Sequence, residues 1–257
     1  MKAGWIDAPL NWEVKGIPCP PAKIVIEVTE FIQEAAGVGD SIIHSSCTRG
    51  ELSGFGVRAA VMLSRPGIRV SYVNAGYPGR NSLGFLWNGD WMVRHLRPQV
   101  VLIQTWSQNE SWDDLTAELA FARAVALADQ TRRQGGEPIL VTAAPVFADN
   151  PEADRHRMNN VNRVRAAGAH GMRVLDLDQL WGTGTSPNAY RLDLSAGDGM
   201  HPNDTGCIVA AEALLPILRE CLGLTGDAAP ARPQTLGKWI RLRSIIRREP
   251  IWPFRRG

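Results

Sequence analysis

Hydrophobic and polar positions along this chain alternate between two periods, one suited to strands and one to helices. Residues 100–105 form a near-unbroken apolar run, the pattern of a parallel strand buried on both faces. Residues 68–73, 138–143 and 172–177 read as further strands. Between them, apolar positions recur at helical spacing over residues 54–64, 82–96, 115–134, 152–167 and 204–221. The boundaries carry ordinary punctuation. Pro98 follows the second helix, Asp113 and Asp114 precede the third, and Gly135-Gly136 ends it. Such β-α alternation predicts a parallel sheet with helices on both faces, because right-handed crossovers put them there. The expected class is therefore α/β, a three-layer α/β/α sandwich around five mainly parallel strands. The first strand is expected at residues 35–39, although it holds only small residues before its turn. Residues 23–29 also alternate like a strand but stand too far upstream to deliver that turn, so residues 1–34 read as an extension.

Composition adds one asymmetry. Eight basic residues against Glu249 give residues 231–257 a net charge of +7, which leaves −5 for the rest of a chain whose total is +2. An acidic body excludes a dedicated nucleic-acid-binding domain, while the tail fits an anionic membrane surface or a protein partner. Residues 223–235, rich in Ala, Pro and Gly, read as a linker to that tail, whose residues 238–249 have the pattern of a short amphipathic helix. No stretch is long and apolar enough for a membrane span, and the first residues lack the pattern of a signal peptide, so a cytoplasmic protein is expected. Cys19, Cys47, Cys207 and Cys221 have no C-x-x-C spacing, and the histidines show no metal-ligand spacing. No phosphate-binding glycine loop is present either, and no cofactor is expected.

Four short blocks carry the chemistry. Gly39-Asp40-Ser41-Ile42 opens the series, and Asn74-Ala75-Gly76-Tyr77-Pro78-Gly79-Arg80-Asn81 follows a strand. Trp106-Ser107-Gln108-Asn109-Glu110 follows another, and Asp198-Gly199-Met200-His201-Pro202 precedes the last helix. A serine hydroxyl is a weak nucleophile until a base within hydrogen-bond reach takes its proton. His201 can be that base for Ser41, and Asp198 can orient and charge-stabilise the imidazole. Taken singly, Ser41 would serve as well as a helix cap, and Asp198 and His201 as turn and surface residues. Their order along the chain, each after a strand, gives the combination its specificity.

The ordered blocks resemble the SGNH hydrolase family of GDSL esterases and lipases, over residues 35–222. The resemblance implies a flavodoxin-like sandwich and hydrolysis of a carboxylic ester through an acyl-serine, without a metal. It also implies an oxyanion hole of the Ser41 and Gly79 backbone N–H groups and the Asn109 side-chain amide. Gly76 competes with Gly79 for its place. The third block departs from the family's usual Gly-x-Asn-Asp, having Ser107 for Gly and Glu110 for Asp. A frame one residue earlier would put Gln108 in the Asn position. Arg80 is a candidate contact for a substrate anion. Trp87, Trp91, Trp106, Trp112 and Trp181 cluster around the blocks, and Trp106 is the candidate among them to stack on a sugar ring. The expected substrate is a small-molecule or glycan ester, with short acyl groups such as O-acetyl on a sugar leading. An acyltransferase on a glycan or other alcohol, or a noncatalytic glycan-binding scaffold, would share the fold.

Overall fold

The computed structural model describes residues 31–44, 54–66, 68–112, 116–145, 151–184 and 189–224. The upstream alternation at 23–29, Cys19, Cys47 and nearly all of the linker and basic tail lie outside them. In chain order the elements are β1 (Phe31–Gly39), α1 (Ser41–His44), α2 (Phe55–Leu63), β2 (Ile68–Gly76), α3 (Ser82–Leu96) and β3 (Val100–Gln104). A 3₁₀ turn (Gln108–Trp112) follows, then α4 (Ala117–Arg133), β4 (Glu137–Val141), α5 (Pro151–Ala169), β5 (Arg173–Leu175), α6 (Leu177–Trp181) and α7 (Asp204–Cys221). The strands form one five-stranded sheet in the order β2-β1-β3-β4-β5. β1, β3, β4 and β5 run parallel, with Ala35 opposite Val100 and Val100 opposite Glu137.

Each central strand feeds two cores, which is why its sequence is apolar without a break. Val100, Leu102, Ile139 and Val141 point into one cluster with Phe55 of α2 and Leu214 of α7. Val101, Ile103 and Leu140 point into the other, with Met92 of α3 and Leu127 of α4. The chain leaving β1 turns to the first face, whereas the chain leaving β3 returns through α4 on the second. Connections that part in opposite directions open a crevice at the carboxyl ends of β1 and β3, where sheets of this order bind ligands.

Among the elements that differ from the sequence pattern are β1 and the short helix α6. β1 begins at Phe31, four residues ahead of the expected 35–39. Its Gly37 has a partner that replaces the missing bulk: a Cβ there would lie 1.9 Å from the Tyr72 hydroxyl oxygen, and one at Gly56 of α2 would lie 2.2 Å from the same ring. The phenol of β2 thus fills the space that large side chains of β1 would otherwise occupy. Gly37→Ala is expected to destabilise the protein by about 1–3 kcal/mol in urea denaturation, through overpacking. Adding Tyr72→Phe, which removes the nearest atom, should recover part of that loss. The second difference is α6, absent from the periodic pattern because it has only five residues. The Asp176 carboxylate caps it by accepting the Gln179 N–H at 3.0 Å, which also ends β5 at Leu175.

Candidate active site

Ser41 follows β1 at a turn held from three sides. The Asp40 carboxylate accepts the Ile42 N–H at 2.8 Å, and the Asp40 N–H donates to Gln104 Oε1 at 3.0 Å. The other end of the Gln104 amide donates to the Trp106 carbonyl at 2.8 Å, so one side chain couples the ends of β1 and β3. A Cβ at Gly39 would stand 2.2 Å from Gln104 Oε1, which makes glycine a requirement of that approach. From β2, the Asn74 amide donates to the Ile43 carbonyl at 3.0 Å and steadies the short α1.

His201 and Asp198 sit on a loop shaped before α7. Gly197 and Gly199 take positive φ values of 94° and 71°, and the Asn203 amide donates to the carbonyls of Asp193 and Ser195 at 2.9 and 3.0 Å. Asp198 Oδ1 accepts the N–H groups of Met200 and His201, each at 2.9 Å. Its Oδ2 lies 2.6 Å from His201 Nδ1, while His201 Nε2 lies 2.7 Å from Ser41 Oγ. Burial pulls the Asp198 carboxyl upward, but the His201 and Met200 hydrogen bonds outweigh it and hold the pKa at about 2. An ionised carboxylate only accepts, so Nδ1 carries the imidazole proton and Nε2 presents its lone pair to the Ser41 hydroxyl.

The second and third blocks close around this pair. The Tyr77 N–H donates to the Gly39 carbonyl at 2.8 Å, tying the turn after β2 to the turn before Ser41. Gly76 lies within β2, and a Cβ there would meet the His44 backbone nitrogen at 2.5 Å. Gly79 is exposed at φ 75°, with nothing within 4 Å of where a Cβ would stand. The Arg80 guanidinium lies over the Tyr77 ring, 5.0 Å from its centroid. Asn109, 8 % exposed, donates from Nδ2 to the Arg80 carbonyl at 2.9 Å. Glu110 is fully buried and accepts from the Ser82 N–H and hydroxyl at the start of α3, a reach for which the extra methylene over Asp is available.

The structure therefore brings Ser41, Asp198 and His201 into one hydrogen-bonded chain and sets Gly79, Arg80 and Asn109 beside it. Trp106 goes elsewhere. Its ring is 2 % exposed and packs among Ala117, Ala120, Ala143 and Val161, with no face open to a sugar. Trp181 is likewise core, stacked on Tyr190 at 5.7 Å, whereas Trp87 is exposed on α3. The Trp112 side chain lies outside the described residues. Asp40, Gln104 and Ser107 had no assigned role in the sequence, and only the Ser-for-Gly departure at 107 marked one of them. Among the described residues, no cluster of three or more His, Cys, Asp or Glu is placed to hold a metal ion, and no helix is long and apolar enough to cross a membrane.

The flavodoxin-like sheet carries these blocks at its carboxyl edge, the architecture of the GDSL/SGNH α/β hydrolases. The chain belongs to the GDSL-like Lipase/Acylhydrolase family, whose model matches residues 38–207. Among solved structures it is similar to TesA, at 19 % identity and a TM-score of 0.60, covering 74 % of this chain and 100 % of that one. An acetyl xylan esterase, AlAXEase, is similar at 20 % identity and TM-score 0.58, covering 72 % of this chain and 99 % of that one. A carbohydrate acetylesterase family member from Sinorhizobium meliloti follows at 14 % and 0.56, covering 74 % and 99 %. At such identities the likeness establishes the fold. No curated protein matches the chain.

Proposed function

We propose that the protein is a serine esterase that hydrolyses a short-acyl carboxylic ester, such as an O-acetyl group on a sugar, through an acyl-serine. The observation that carries the reading is the continuous contact from Asp198 through His201 to Ser41 at 2.6 and 2.7 Å. Ser41 Oγ attacks the ester carbonyl as its proton passes to His201 Nε2, and Asp198 stabilises the imidazolium. The carbonyl oxygen becomes an anion, received by the backbone N–H groups of Ser41 and Gly79 and by the Asn109 amide. Gly79 suits this better than Gly76, because Gly76 is crowded against α1 while Gly79 faces open space. Collapse of the intermediate breaks the bond to the alcohol, which leaves with the proton from His201. Water then attacks the acyl group by the same route and frees the acid.

The acetylated-carbohydrate preference draws on the esterases of that substrate among the similar structures and on Tyr77 and Arg80 beside Gly79, where an alcohol moiety would emerge. Labelling by a fluorophosphonate tests the nucleophile: modification should map to Ser41, and a labelled Ser41→Ala protein would refute it. Acetate release from acetylated xylan against long-chain p-nitrophenyl esters tests the acyl preference. Product analysis with added alcohols separates transfer from hydrolysis. Asp198→Asn leaves the shape of the loop but removes the fixed charge and disturbs the tautomer, and is expected to lower kcat about 10²–10⁴-fold with KM nearly constant.

A further inference from the structure

We infer that Ser107 is a positioning residue of the oxyanion site, whose hydroxyl fastens the Asn109 amide to the turn that carries Ser41 by way of Asp40. This rests on the roles proposed for Ser41 and Asn109. Ser107 is 1 % exposed, and its hydroxyl has one proton and two lone pairs to place. The proton goes to Asp40 Oδ2 at 2.5 Å. Both remaining sites accept from Asn109, the backbone N–H at 3.1 Å and the side-chain Nδ2 at 2.6 Å. The full capacity of the hydroxyl is thereby spent on one residue before the nucleophile and one residue two positions on. Glycine, the usual occupant in the family pattern, can make none of these bonds.

The consequence follows from what Asn109 does with its two amide hydrogens. One is held by the Arg80 carbonyl at 2.9 Å, which fixes the amide plane against the turn after β2. The other rests on Ser107 Oγ until a better acceptor arrives. A developing oxyanion is charged and forms a hydrogen bond roughly twice as strong as a neutral hydroxyl does, so it draws that hydrogen across. The backbone bond from Asn109 to Ser107 persists through this exchange and keeps the donor from swinging away. Asp40 completes the brace, since its other oxygen holds the Ile42 N–H next to Ser41. Burial raises the Asp40 pKa, with the Ser107 hydroxyl, the Ile42 N–H, Gln104 and the charge of His201 opposing that rise. One hydroxyl thereby holds the Asn109 donor in register with the turn that carries Ser41.

The test is a double-mutant cycle on the full-length protein with p-nitrophenyl acetate. Ser107→Ala and Ser107→Gly are each expected to lower kcat about 10–10²-fold with KM changed less than about threefold, because the loss is felt in the transition state. In an Asn109→Ala background the same substitutions should cost less than about twofold, since the group they position is gone. A full penalty that persists in that background would overturn the proposal, as would wild-type kcat in Ser107→Gly. Thermal melts identify any variant that fails to fold, and Ser107→Gly, the family's usual residue, serves if Ser107→Ala does. Failure of the underlying reading has a different signature: activity retained in Ser41→Ala.

Discussion

Ser41→Ala and His201→Ala are each expected to lower kcat by about 10⁴–10⁶-fold on p-nitrophenyl acetate while leaving the melting temperature nearly unchanged. The size follows from the single path for the proton. Ser41 Oγ has His201 Nε2 at 2.7 Å, and without either member the hydroxyl stays a poor nucleophile at neutral pH. What survives is the rate supported by binding and the oxyanion donors. The two residues act as one unit, so the double substitution should cost hardly more than either single one. Stability should be spared because Ser41 and His201 are only partly buried and neither belongs to the apolar clusters. Near wild-type turnover in Ser41→Ala would remove the acyl-serine route, and equal fractional losses that multiply in the double variant would mean the pair does not share a proton.

The same separation between chemistry and packing explains what the sequence disclosed. β3 and β4 were legible because both of their faces are covered, and burial on two sides leaves a short continuous apolar run. β1 was half hidden. Its Gly37 answers to Tyr72, and a side chain reaching over from a neighbouring strand leaves no periodic trace in the strand it covers. The Ser41, Asp198 and His201 assembly was legible for another reason: a turn, an Asx-type loop and a proton acceptor require particular residue types at short spacing. Braces made across the crevice left less. Gln104 spans β1 and the chain after β3, a pairing of residues 64 positions apart that only the parallel register creates. Trp106 reads as a site residue by proximity, yet the chain after β3 turns its ring under α4 and α5, where small side chains leave room for it.

Asn109→Ala is expected to lower kcat about 10²–10³-fold, the loss usual for one oxyanion donor, with a smaller change in KM. Gln108→Ala should be mild. The two residues compete for the same family position, and their neighbours favour the second. The Asn109 amide nitrogen is joined to the Arg80 carbonyl at 2.9 Å and to Ser107 Oγ at 2.6 Å, which anchors it between the turn after β2 and the turn of Ser41. Glu110 fixes the same stretch to the start of α3. Gln108 opens the 3₁₀ turn and is half-buried, with a longer side chain that would need more ordering to meet an oxyanion. Asn109→Asp sharpens the comparison, for it keeps the size and replaces the donor by a carboxylate that repels the developing charge. Its kcat should fall at least as far as that of Asn109→Ala. A large loss in Gln108→Ala with Asn109→Ala near wild type would move the donor one residue back, and small losses at both would leave the anion to the backbone N–H groups of Ser41 and Gly79.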